Sequence, residues 1–342
     1  MFACFRGTLL CFVVLSGFLL FPSSSEAGSC VKPSTKPLFV RVFGQCHNTP
    51  VLYLHGGPGD SSVGFELSVA SALAKQGYYV ITYDRRGEGR SPAAKAPAFT
   101  YKQALADLHG LVSALGKRKK VVLFGHSFGG VLGLRYLNKH KSSALRLILS
   151  GTPIDFPATL QHLADSFVKD YPVRIAMMKK AGRAQFAMAM QRSFFYTRQI
   201  RKALFGNKKL DRKAFTARRV GFLFVLAMQF QRYTPKTLSK EAQKLYFQLR
   251  TKAPRQNRQR PFVFFLKQEG YASQVMTRLL LENKVRIRAV YGLSDGLFSP
   301  SLLKRLKSQL GKSRCHWMKN AGHFLFLDQR QRFLKLFKSW VR

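Results

Sequence analysis

Short apolar runs alternate along the chain with longer stretches whose apolar residues recur every three to four positions. Leu38–Val42, Val51–His55, Tyr79–Tyr83, Val121–Phe124, Leu147–Ser150, Ile287–Tyr291 and Cys315–Met318 read as strands. Phe65–Lys75, Tyr101–Leu115, Phe128–Lys139, Ser301–Gln309 and Phe324–Val341 read as helices. Near-continuous apolar strands separated by helices predict a mostly parallel sheet with helices flanking it. The alternation lapses between Asp155 and Val285, a segment rich in Phe, Met, Lys and Arg that reads as helical almost throughout. Its place between two strands predicts an inserted helical cap on the side where loops leave the strands. The polar, basic stretch Lys252–Arg260 reads as a loop within it. The expected organisation is therefore a core split into 28–154 and 286–342 around a cap at 155–285.

Chemistry concentrates at the ends of these strands. Gly125-His126-Ser127-Phe128-Gly129, followed by Gly130, lies directly after one strand and directly before one helix. That context fits a sharp strand–turn–helix that exposes a serine hydroxyl at its tip. The small residues at 125 and 129 remove collisions that so tight a turn creates. The start of the following helix favours a developing anion. A hydroxyl needs a base to become a nucleophile. His323, in Asn320-Ala321-Gly322-His323-Phe324, follows the last strand and suits that part. Asp295, in Gly292-Leu293-Ser294-Asp295-Gly296, follows the strand before it and suits the residue that orients the imidazole. Asp155, after the strand Leu147–Ser150, is the rival acid.

A tetrahedral intermediate also needs N–H donors aimed at its oxygen. The backbone N–H of Phe128 is the first candidate. The second is expected on the loop His55-Gly56-Gly57-Pro58-Gly59-Asp60. Pro58 has no N–H, which leaves Gly57 as the better donor. His55 reads as a residue that holds this loop rather than one that reacts.

The loop His55–Gly59, the segment Tyr83-Asp84-Arg85-Arg86-Gly87-Glu88-Gly89-Arg90-Ser91, the elbow at Ser127 and the Gly322-His323 pair together resemble the proline iminopeptidases and related esterases. The resemblance spans Val51 to Thr152 and Arg286 to Lys338. It implies the α/β-hydrolase fold and a Ser127, Asp295, His323 triad, with Gly57 and Phe128 forming the oxyanion hole. It also implies hydrolysis through an acyl-enzyme, of a short peptide or a small ester. Two departures bear on the substrate. The iminopeptidase elbow reads Gly-Gly-Ser-Trp-Gly, whereas Gly-His-Ser-Phe-Gly is the form of many esterases and lipases. The cap also shows no match to the carboxylate motif with which iminopeptidases hold a substrate amine. A secreted binding module without activity is the remaining alternative, disfavoured because every catalytic part is present. The nucleophilic serine argues against epoxide hydrolases and dehalogenases of this fold, whose nucleophile is Asp. No cofactor is implied, since side chains and water complete the chemistry.

Charge adds a question about partners. The 342 residues carry 58 Lys and Arg against 15 Asp and Glu, a formal net charge of +43. The cap alone carries 27 basic and 7 acidic residues. Such a balance predicts attraction to anionic membranes or polymers and opposes a cationic substrate. No zinc-finger spacing or other nucleic-acid signature accompanies it, so specific nucleic-acid binding is not expected. The apolar run Leu9–Phe21, Pro22 and Ser25-Glu26-Ala27 read as an export signal covering residues 1–27 and cleaved after Ala27, with a periplasmic or extracellular destination. An uncleaved anchor and a lipidated Cys30 are the alternatives. Cys30 and Cys46 could form a disulfide in an oxidising compartment, leaving Cys315 as a lone thiol.

Overall fold

The computed structural model describes residues 38–95, 99–116, 120–141, 144–206 and 273–341. The export segment 1–27, Cys30, the loop Lys252–Arg260 and the middle of the expected cap lie outside the described residues. Cys46 is disulfide-bonded. Cys315 is free and half-buried, and burial raises its thiol to about 11.

All seven expected strands form: β1 (Phe39–Phe43), β2 (Thr49–Leu54), β3 (Tyr78–Asp84), β4 (Val121–His126), β5 (Ala144–Ser150), β6 (Ile287–Gly292) and β7 (Cys315–Met318). They make one sheet in the order β1-β3-β2-β4-β5-β6-β7, with only β1 antiparallel to its neighbour. The side chains of the inner strands alternate between two buried layers. In β2, Leu52 and Leu54 join one layer, and Val51 and Tyr53 the other. Burial on both faces explains why the strands read as unbroken apolar runs. The second layer is strongly aromatic. Tyr53 stacks on Phe65 at 4.0 Å, and Phe124, Phe326, Phe333 and Phe337 close around them.

The helices follow the expected pattern with two adjustments. The first expected helix is α1 (Val63–Phe65), a π turn over Glu66–Ala70 and α2 (Ser71–Lys75). The last divides into α9 (Leu325–Asp328) and α10 (Arg330–Val341). The break lies where Asp328 accepts the N–H of Gly322 at 2.7 Å and Gln329 donates to the carbonyl of Asn320 at 2.9 Å. Those side chains are turned back toward the loop before them. Between β3 and β5 lie α3 (Tyr101–Gly116) and α4 (Phe128–Lys139). After β5 come two long packed helices, α5 (Phe156–Lys180) and α6 (Ala184–Phe205). Helix α7 (Ser273–Glu282) packs on α4, and its Met276, Leu279 and Leu280 join the core layer. Helix α8 (Pro300–Leu310) lies between β6 and β7.

Topology fixes where a site can form. β2 and β4 are neighbours, but the chain leaves β2 toward β3 and leaves β4 toward β5, on opposite sides. Loops diverge there and leave a crevice at the strands' C-terminal ends. One wall is anchored by buried charge. Fully buried Asp84 accepts from the N–H of Ser62 at 2.8 Å, its hydroxyl at 2.7 Å and Nε of Arg90 at 2.8 Å. Glu66, on the π turn, accepts from Arg90 at 2.7 Å and from Thr82 at 2.7 Å. Burial opposes charge on Arg90, but Glu66 and Asp84 hold its pKa above the ordinary arginine value. Removing one partner would leave a buried cation short of its counter-charge. Asp84→Ala is therefore expected to lower stability by about 3 kcal/mol or more. An unfolding free energy from urea titration that falls by less than a third of that amount would show that Glu66 alone suffices.

Candidate active site

Four loops converge at the crevice, after β2, β4, β6 and β7. The β4 loop is the tightest. Ser127 has φ 51 and ψ −120, a left-handed conformation that costs a non-glycine residue free energy and persists only when its surroundings impose it. Those surroundings have no space for side chains. A Cβ on Gly125 would lie 2.6 Å from Cα of Gly130, and one on Gly129 would lie 2.0 Å from the carbonyl oxygen of Leu54. A Cβ on Gly130 would lie 1.9 Å from the hydroxyl of Thr152, so the third glycine is as constrained as the other two. Ser127 is only half-buried and heads α4, whose first N–H groups have no partner within the helix. The N–H of Phe128 is one of them.

His323 and Asp295 meet as the sequence spacing suggests. Nδ1 of His323 and Oδ2 of Asp295 are 2.8 Å apart, and both side chains are buried. With Nδ1–H donating, Nε2 is the lone-pair nitrogen. The two loops that carry these residues are tied together. Ser294 N–H donates to the carbonyl of Ala321 at 2.9 Å, and Leu293 N–H to that of Met318 at 3.0 Å. Leu297 N–H donates to the other oxygen of Asp295 at 3.1 Å. The imidazole of His323 lies 4.7 Å, centre to centre, from that of His126, the residue before Ser127. Asp155 is engaged elsewhere. It caps α5 by accepting from Ala158 N–H at 3.1 Å and pairs with Arg305.

The β2 loop is held from beneath by Arg85, which is 3% exposed. Its guanidinium donates to the carbonyls of His55 at 2.6 Å and Gly56 at 2.5 Å, and to Glu88 at 3.0 and 2.8 Å. Glu88 in turn accepts the N–H of Gly59 at 2.7 Å. The same guanidinium lies 5.0 Å from the ring centre of Phe128. Arg85 thus joins the two backbone segments that carry the candidate oxyanion donors. Burial opposes its charge, and Glu88 beside it raises its pKa above the usual arginine value. Gly57 has φ +109, and a Cβ there would lie 2.8 Å from the N–H nitrogen of Gly59. The loop's shape therefore depends on a glycine at that position.

Two further histidines line this region. Burial, then the charge of Arg85, holds His55 well below the usual histidine pKa. Its Nδ1–H donates to Gly56 at 2.9 Å and its Nε2 accepts the N–H of Arg85 at 3.0 Å, so His55 holds the loop as expected. Burial, then His323, holds His126 neutral as well. Arg85 and Glu88 stand in the sequence only as members of a recognisable segment. Their role as a clamp depends on a contact 29 or 30 residues distant, which no local pattern signals. Among the described residues no cluster of three or more His, Cys, Asp or Glu could hold a metal ion.

Known proteins place the chain. A proline iminopeptidase of Thermoplasma volcanium is 34% identical over 124 residues, covering 35% of this chain and 41% of that protein. A probable proline iminopeptidase of Streptomyces coelicolor is 38% identical over 115 residues, covering 32% of this chain and 34% of that protein. The aligned stretch thus spans well under half the length of these relatives. Among solved structures, a proline iminopeptidase-related protein from Thermus thermophilus superposes with TM-score 0.59 at 23% identity, covering 91% of this chain and 95% of that one. An esterase from Exiguobacterium antarcticum superposes with TM-score 0.52 at 21% identity, covering 89% and 95%. A family model described as alpha/beta hydrolase fold matches residues 49–329, and on that match the chain belongs to the alpha/beta hydrolase family.

Proposed function

We propose that the chain is a serine hydrolase that works through an acyl-enzyme. The observation that carries this reading is the forced left-handed Ser127 beside a buried His323–Asp295 pair. In this reading Nε2 of His323 takes the proton of Ser127 as its oxygen attacks a substrate carbonyl. The N–H groups of Gly57 and Phe128 receive the negative oxygen. His323 then protonates the leaving group. The acyl-enzyme is hydrolysed when His323 activates a water. Asp295 fixes the histidine tautomer and stabilises the imidazolium in both halves.

For substrate, the reading favours a small ester or thioester over a peptide with a free N-terminal amine. His126 stands where the iminopeptidase elbow has glycine, and fully buried His126 occupies the space behind the loop at Gly56. Of the four acids in the described part of the cap, Asp165 pairs with Arg201, Glu282 lies against Arg278, Asp155 caps a helix and Asp170 is exposed. None of them is a buried acid awaiting an amine. The alignments to iminopeptidases support the peptide reading, which remains the alternative. A fluorophosphonate should label the full chain and leave Ser127→Ala unlabelled. The same preparation should cleave short aryl esters at least about tenfold faster, by kcat/KM, than proline arylamide. Labelling of the alanine variant would remove Ser127 from the mechanism, and the reverse substrate ranking would install the peptidase.

The acid is tested by exchange. Asp295→Asn is expected to lower kcat by about 10³–10⁴ by favouring the unproductive tautomer. Asp155→Asn is expected to cost stability but little turnover, because its contacts are a helix cap and a surface ion pair. Crippled turnover in the second variant alone would transfer the role to Asp155.

Arg85 is a positioning residue in this scheme. Arg85→Met is expected to lower kcat by about 10²-fold with KM nearly unchanged, the size of losing one oxyanion donor. Fluorophosphonate titration would count the sites still competent. A titre that falls in step with kcat would mean that Arg85 merely holds the fold.

A further inference from the structure

β4, β5, β6 and β7 are parallel, so the segments that lead into them lie together at the end of the sheet opposite Ser127. Every one of those segments is basic. Lys120 precedes β4, Lys141 precedes β5, Lys284 and Arg286 precede β6, and Lys312 and Arg314 precede β7. The strands add Arg146 and Arg288 near their starts. The four lysines are exposed and the four arginines half-buried.

Elsewhere in the described chain Arg85 meets Glu88, Arg86 meets Asp107, and Arg90 meets Asp84 and Glu66, whereas half-buried Arg330 donates to the carbonyl of Ser68. At this pole none of the four arginines has a carboxylate partner among the described residues. Arg286 donates to the carbonyl of Lys141 and the amide of Asn283, Arg288 to the carbonyl of Ile287, and Arg314 to that of Leu310. Nε of Arg314 is buried without a hydrogen-bond partner. The nearest acid along the chain, Glu282, lies against Arg278 at 3.8 Å. Arg288 has burial and the charges of Arg146 and Arg314 acting against its own. Like charges gathered without a counter-ion repel one another, and an external anion relieves that repulsion.

The extent of the patch decides the kind of anion. Four neighbouring strands span about 15 Å at the usual spacing, which is wider than one small anion can bridge. One leucine is exposed among the cations, Leu145 at 39% in β5, directly before Arg146. An apolar side chain set among cations suits a lipid headgroup layer, where the charges meet phosphates and the leucine enters the interface. Duplex nucleic acid would use the cations and leave the leucine in water.

We propose that this pole is a docking surface for an anionic phospholipid bilayer. Docked this way, the mouth at Ser127 faces away from the membrane and stays open to soluble substrate. The inference is independent of the hydrolase chemistry, because it concerns the other end of the sheet.

The test compares two full-length triple variants with equal loss of charge. One replaces Lys141, Lys284 and Lys312 by Gln at the pole. The other replaces exposed Lys102, Lys304 and Lys319 by Gln near the opposite end. Binding is measured by sedimentation with phosphatidylcholine vesicles containing 30 mol% phosphatidylglycerol, and separately with a duplex DNA oligonucleotide. The pole triple is expected to bind vesicles at least about tenfold more weakly than the wild type, and the control triple within about threefold. Leu145→Gln should weaken vesicle binding and leave DNA binding unchanged. Turnover of a soluble ester checks that all variants are folded. Equal losses from both triples would assign adsorption to dispersed charge and overturn the proposal. It would also fall if wild type ignored the vesicles, or if the pole triple lost affinity for DNA alone.

Discussion

Arg85 is the interaction on which the crevice depends. A guanidinium with almost no solvent contact is costly unless every donor finds an acceptor and a counter-charge lies beside it. Here the acceptors are two consecutive carbonyls of the β2 loop and both oxygens of Glu88. Glu88 then reaches the N–H of Gly59, so the charge pair holds the loop on either side of Gly57. Backbone carbonyls drawn inward toward a cation leave the neighbouring N–H groups free to face the other way. That polarity is what a developing oxyanion requires. The Phe128 ring against the same guanidinium couples this loop to the start of α4.

The two ends of a parallel sheet have different chemistry for a geometric reason. At the C-terminal ends the chain diverges on either side of β2 and β4, which opens a cleft and brings distant loops together. Ser127, Asp295 and His323 come from three such loops. At the N-terminal ends the connections arrive from helix C-termini, whose partial negative charge favours Lys and Arg. Lys139 lies in the last turn of α4 and Lys307 in the last turn of α8. Helix capping accounts for those, but not for the arginines that follow within the strands.

Much of this arrangement is legible in the order of residues alone. Strand after strand is buried on both faces, so apolar runs such as Val121–Phe124 carry an unambiguous signal. The elbow is readable because a strand that runs straight into a serine flanked by glycines at 125 and 129 suits little besides a tight turn. The 28-residue spacing from Asp295 to His323 does not distinguish Asp295 from Asp155, since both follow strands; the 2.8 Å contact is the observation that favours Asp295 in the proposed mechanism. The clamp at Arg85 is beyond reach of sequence for a different reason. Tyr83–Ser91 reads as a polar loop rich in charge, which ordinarily means a solvated one. Asp84, Arg85 and Glu88 are instead buried, because Arg85 and Glu88 pair with each other and these side chains reach backbone groups 22 to 30 residues away. The division of the last helix is hidden too, since a break made by Asp328 and Gln329 folding back leaves the apolar periodicity intact.

The scarcity of acids links the interior to the surface. With 15 carboxylates for 58 basic side chains, each acid has many potential partners. Those with the strongest claim are inside: Asp84 and Glu66 hold half-buried Arg90, and Glu88 holds buried Arg85. Asp295 is committed to His323 and Asp328 to the loop that carries it. Interior stability and the arrangement of the cleft thus consume carboxylates that would otherwise neutralise the exterior. Among the described residues, one cluster of the remaining positive charge lies where four parallel strands begin, and the acid nearest it along the chain, Glu282, lies against Arg278. A cluster of that kind is stable only because solvent screens it within about 8 Å at physiological salt. Where an anionic layer replaces solvent, repulsion becomes attraction, and in the proposed docking one end of the sheet holds the molecule while the other stays open.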